Sequence, residues 1–91
     1  MRYTWDPDKA QSNEADHEIA FADAIRVFED VYGLSQEDLS AEGEDRYVVI
    51  GMDAFGRILT VVYTYRGDDT IRLISARRAT RREWREYERF R

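Results

Sequence analysis

Apolar positions along this 91-residue chain change their spacing once, near residue 46. Before that point the pattern is helical. In "FADAIRVFED", Phe21, Ala24, Ile25 and Phe28 recur at i, i+3, i+4 and i+7, one face of a helix that Gly33 ends. An earlier helix is signalled by "DPDKAQSNEADH", where Asp6 can cap the first turn and Pro7 takes the first helical position. The stretch "RYTW" ahead of it, residues 2–5, is β-prone. The acidic segment "GLSQEDLSAEGED", 33–45, has no strong period and reads as a long connecting loop. After it, "RYVVIGM", "RILTVVYTY" and "TIRLISA" are rich in β-branched and aromatic residues, which predicts three strands. Their connections, "DAFG" and "RGDD", are too short for a parallel crossover and imply an antiparallel meander. Thr80 and Glu83 then have the spacing of a capping box, so a helix closes the chain. The expected fold class is α+β with element order β-α-α-β-β-β-α. In it an antiparallel sheet carries the first two helices against one side, and the last helix packs through Trp84 and Tyr87.

A chain of this length encloses one modest core, so a single domain over 1–91 is expected. Two Trp, six Tyr and four Phe supply bulky residues for that core, and the chain is too apolar for a disordered tail. With no cysteine there is neither a disulfide framework nor a thiolate metal site, and one histidine cannot by itself make a zinc cluster. No metal or cofactor is implied. The amino terminus lacks the apolar run of a signal peptide and no segment approaches a membrane span, so a soluble, cytoplasmic protein without a membrane partner is expected.

The formal charge of −5 conceals a division. Residues 1–45 hold thirteen acids against three bases, a net −10, whereas residues 46–91 hold eleven bases against six acids, a net +5. Partners feel local patches over about a Debye length, roughly 8–10 Å, so the acidic total does not exclude an anionic partner. On a helical wheel at about 100° per residue, Arg81, Arg85, Arg89 and Arg82 share one arc while Trp84 and Tyr87 share another. Stacking like charges at i,i+4 costs about 0.2–0.5 kcal/mol per pair, which an acidic surface or a phosphate backbone can offset.

The segments "YTWDPDKAQSNEADHEIAFADAIRVFED", "DRYVVIG", "GRILTVVYT" and "IRLISARRATRREWREYE" together resemble the BrnT toxins of type II toxin–antitoxin systems. The most specific parts are the opening W-D-x-x-K-A-x-x-N with a following histidine, and the block from Arg72 through Ser75, Arg77 and Thr80 to Glu83. The resemblance implies a small RelE-like toxin fold and a ribonuclease activity that inhibits translation. It also implies neutralisation by a BrnA-type antitoxin protein, which supplies DNA contact, so that this chain meets DNA only indirectly. At Asp16-His17-Glu18 the chain carries two acids where the family has a lysine and a glycine.

A metal-independent endoribonuclease needs help for the attacking 2′-hydroxyl, donors for charge growing on the phosphoryl oxygens, and in some cases an acid for the leaving oxygen. Arg72 and Arg77, at the two ends of the third predicted strand, are the candidate catalytic phosphate clamps, with His17 as the candidate acid or base. Arg78, Arg81, Arg46 and Tyr65 are candidate substrate-binding residues. Each also has a plainer reading: a cross-strand salt bridge for Arg72, a solvated turn for Arg77 and Arg78, a capping or packing histidine, and sheet-edge polarity for Arg46, Tyr65 and Glu44. Asp6, Lys9 and Asn13 read as structural. An alternative function from another class is a non-catalytic module whose basic C-terminal face docks an acidic partner protein.

Overall fold

The structure, a computed structural model, describes residues 1–38 and 45–91. Its strands are β1 (Arg2–Thr4), β2 (Leu34–Glu37), β3 (Tyr47–Met52), β4 (Ile58–Arg66) and β5 (Thr70–Arg78). Its helices are α1 (Pro7–His17), α2 (Phe21–Ala24, continued as a 3-10 turn over Ile25–Glu29) and α3 (Arg81–Arg89). The fold is mixed α+β. One five-stranded sheet has the order β1-β5-β4-β3-β2.

The sheet is not purely antiparallel, because β1 pairs with β5 in parallel, Tyr3 opposite Ile71. Short turns constrain only the β3–β4 and β4–β5 connections, and β1, which leads into a helix, adds to the free edge in the other sense. Within 33–45, Leu34–Glu37 is a strand rather than loop, antiparallel to β3. Its sequence, LSQE, is mostly exposed on the sheet edge and therefore carries no apolar alternation. The rest of that predicted loop, from 39 to 44 and including Glu44, lies outside the described residues.

α1 begins where expected, with the Asp6 carboxylate accepting from the Asp8 N–H at 2.8 Å. It ends at Glu18, whose φ of 59° lies in the left-handed region. That conformation favours glycine, so Glu18 makes a strained cap. β1 reaches only Thr70–Arg72, and past it Asn13 of α1 takes a strand's place at the edge of β5. Its Nδ2 donates to the Ala76 carbonyl at 2.8 Å and to the Ile19 carbonyl at 2.9 Å, while its Oδ1 accepts from the Ala76 N–H at 3.0 Å. Asn13 is buried, and the bonds account for its side chain.

The core lies between α1–α2 and one sheet face, where Ile19, Phe21, Ala24 and Val27 meet Val49, Leu59, Val61, Tyr63, Ile71, Leu73 and Ala76. Gly51 lets the 3-10 turn approach: a Cβ there would sit 3.0 Å from the Val27 carbonyl oxygen and 3.1 Å from the Val27 Cβ. α3 is held by Tyr87, which is buried, whereas Trp84 is 51% exposed and does not share the packing expected of it. The Tyr87 hydroxyl donates to Asp30 Oδ2 at 2.5 Å, an oxygen that also accepts from the Met52 N–H at 2.8 Å, and Asp30 Oδ1 accepts from the Tyr32 N–H. The Tyr87 ring takes the inward position, and Trp84, 60° away on the wheel, projects past the sheet end. No helix among the described residues is long and apolar enough to cross a membrane.

Candidate functional site

The sheet face turned away from the core is built from alternate residues of its strands. On β4 these are Thr60, Val62, Thr64 and Arg66, and their partners on β5 are Arg77, Ser75, Arg72 and Thr70. In a regular strand, residues five apart point to opposite faces. Arg72 and Arg77 nevertheless share this one, because the ladder slips between Val62 and Tyr63, leaving Ile74 without a partner. The β-bulge is what makes the two arginines neighbours on a surface.

Thr64 faces Arg72 on one side and, by the continuation of the Tyr47–Tyr63 register, Arg46 on the other. Two strand spacings set these arginines about 10 Å apart. Arg77 lies four β4 residues further along, about 13 Å away. Arg2, opposite Thr70, extends the same face on β1. Arginines from several strands thus frame a surface whose middle carries Thr64, Val62 and Ser75.

Their partners differ. Arg72 has no hydrogen bond or ion pair to its guanidinium among the described residues. Arg46 has a buried Nε without a partner there. Arg77 is engaged: its Nη1 and Nη2 donate to Glu83 at 2.7 and 3.0 Å, and Nη1 also to the Arg78 carbonyl at 3.2 Å. Glu83 in turn accepts from the Thr80 N–H at 2.8 Å, while the Thr80 hydroxyl accepts from the Glu83 N–H at 3.2 Å. The capping box and the ion pair are one unit that ties α3 to β5. The Arg77 hydrogen bonds, helped by the Thr80 N–H and opposed by burial, hold the Glu83 carboxyl at about 2. Arg77 is therefore neither bare nor in a solvated turn, and its charge at the face is partly offset by Glu83.

The remaining candidates are dispersed. His17 is exposed at the end of α1, in a shallow groove shared with Asp8, Lys9, Ser12, Asp16, Ile74 and Ser75. Ser75 alone of these has an assigned place on the arginine-bearing face. Tyr65 lies on the opposite face, its ring 5.3 Å from Tyr47 and 5.7 Å from Tyr63. Arg78 and Arg81 line a separate groove beside Trp84, on the other flank of α3. Thr64 was not singled out in the sequence, and Ser75 only as part of the block from Arg72 to Glu83. Thr64 is recognisable only once β4 is known to present alternate residues to the face turned away from the core, and its hydroxyl donates to the Asp45 carbonyl at 2.6 Å.

The chain is thus a small α+β domain with arginines from several strands on the sheet face turned away from the core, where Thr60 and Thr64 are buried and Glu83 of α3 reaches Arg77. The family described as ribonuclease toxin, BrnT, of type II toxin–antitoxin systems matches residues 5–83, and the chain belongs to it. It is similar to the Brucella abortus ribonuclease toxin BrnT, whose crystal structure shares 28% identity and a TM-score of 0.69 over 89% of this chain and 99% of that one. No curated protein sequence matches the chain. Family membership makes it the toxin component of a type II toxin–antitoxin system, with an antitoxin as partner.

Proposed function

We propose that this toxin is an endoribonuclease that cuts RNA laid along the arginine-bearing sheet face turned away from the core, and that a BrnA-type antitoxin neutralises it. The observation that carries the reading is Arg72: an arginine without a partner among the described residues, in a row that places Thr64 and then Arg46 beside it. In the reaction the ribose 2′-oxygen attacks the adjacent phosphorus. The new O2′–P bond forms as the P–O5′ bond breaks, leaving a 2′,3′-cyclic phosphate and a 5′-hydroxyl. Arg72 clamps the non-bridging oxygens, where negative charge grows. Arg77 contributes the donors that Glu83 does not occupy, and Arg46 holds the neighbouring phosphate. Glu83, paired and held at about 2, stays ionised and makes a weak base. His17 is the side chain suited to move a proton, reaching the phosphate past Ser75 from the groove beside α1.

Fluorescence anisotropy with a fully 2′-O-methylated RNA, which lacks the nucleophile, isolates binding from cleavage. Arg72→Ala is expected to weaken binding and reduce the slope of log affinity against log salt by about 0.7, the share of one phosphate contact on a single strand. Arg26→Ala, on the helix side and paired there with Glu29, serves as the comparison. Equal slopes for wild type and Arg72→Ala would remove Arg72 from the interface.

A further inference from the structure

Two grooves flank α3. The one at the sheet end, about 500 Å³, lies between the helix and the β3–β4 hairpin and is walled by Ile58, Met52 and Trp84 and rimmed by Arg78 and Arg81. Trp84 is half exposed against that apolar wall, and Phe55, at the tip of the hairpin, is 68% exposed. Arg57 and Arg91, also on this groove, are already paired, the first with buried Asp53 at 2.7 Å and the second with Glu88 at 3.3 Å. Arg78 and Arg81 have no partner among the described residues. An exposed tryptophan set among arginines has the composition of a protein-binding hot spot, and the unpaired cations set the sign of what fits. Arg78 and Arg81 also stand off the sheet face that the proposed RNA site uses.

We propose that this groove receives an acidic segment of the antitoxin, with carboxylates on Arg78 and Arg81 and an apolar side chain packed between Trp84 and Ile58. The assignment rests on the toxin–antitoxin partnership and adds its location. It predicts that the antitoxin occupies a different surface from the RNA, touching α3 on the flank opposite Glu83.

The test uses the full chain and its cognate antitoxin. In a Trp5→Phe background, Trp84 is the one remaining tryptophan, and its emission reports directly on the groove. Antitoxin is expected to shift that emission to shorter wavelength. Arg78→Glu/Arg81→Glu should weaken antitoxin affinity at least 30-fold and Trp84→Ala at least tenfold. Arg82→Glu/Arg85→Glu, the same charge change on residues outside this groove, should stay within threefold. All these positions except Trp84 are charged and exposed, and circular dichroism verifies that each variant is folded. Unchanged affinity of the Arg78/Arg81 and Trp84 variants, with wild type binding tightly, overturns the location and leaves the partnership standing. Single-stranded RNA quenching Trp84 while antitoxin does not would make the groove a nucleic-acid surface and also overturn it. Failure of wild type to bind the antitoxin overturns both the location and the partnership beneath it.

Discussion

Replacing Asn13 with alanine removes a side chain that stands in for a strand. Three hydrogen bonds vanish together, two of them to Ala76 and one to Ile19, at a site that is buried. The Ala76 N–H and the Ala76 and Ile19 carbonyls are then left without these partners, and each buried unpaired group costs about 1–3 kcal/mol. Entering water recovers part of this, so the net loss is about 3 kcal/mol. For a domain of this size a urea slope near 1 kcal/mol/M converts the loss into a midpoint about 3 M lower, and melting should fall by more than about 10 °C. Trp5, edge-on against Phe21 at 5.9 Å, gives a fluorescence signal for the transition, followed in parallel by circular dichroism. A loss below about 1 kcal/mol would refute the reasoning, because it would mean that Ala76 does not depend on Asn13 for its pairing. The same logic gives the opening motif a physical purpose: Asp6 starts α1 and Asn13 fastens it to β5.

Three further outcomes follow from the local chemistry. Glu18→Gly relieves a left-handed cap at φ 59° and should raise stability by about 1 kcal/mol, read as a higher melting temperature. The Glu83 carboxyl sits at about 2 in the fold against an ordinary 4.5, so its contribution is fully present above about pH 4.5 and is lost as pH falls toward 2. With Arg77 40% exposed, solvent screening limits this to about 1–2 kcal/mol. Glu83→Gln should flatten the acid limb of a stability–pH curve over that window, and an unchanged limb would contradict it. Tyr87→Phe loses the bond to Asp30 and should cost about 1–2 kcal/mol by urea unfolding. It also abolishes a phenol that burial, together with the hydrogen bond and charge of Asp30, pushes up to about 12.

What the sequence made legible was local. Asp6 with Pro7, Thr80 with Glu83, and the two four-residue turns each act within a few residues, and each stands in the structure where it was expected. Pairings that depend on distant partners were hidden. β2 is a polar edge strand that β3 recruits, and β1 joins β5 in parallel across almost the whole chain. The candidate site was half legible for the same reason. Arg72 and Arg77 were identified by type and position, but their common face depends on a bulge at Ile74 that no alternation pattern announces. The engagement of Arg77 by Glu83 spans a strand end, a turn and a helix start, so spacing alone did not distinguish an anchored arginine from a free one. Tyr65 looked like its arginine neighbours at the strand end, yet strand parity turns it to the opposite face, among the other tyrosines.

Whether the arginine-bearing sheet face cleaves RNA through Arg72 is decided by incubating a 5′-labelled single-stranded RNA with the protein in excess EDTA. Wild type should release fragments ending in 2′,3′-cyclic phosphate, and folded Arg72→Ala should cleave about 100-fold or more slowly, the usual cost of losing one transition-state donor. Intact RNA after incubation with folded wild type, or cleavage by Arg72→Ala at the wild-type rate, would contradict cleavage through Arg72.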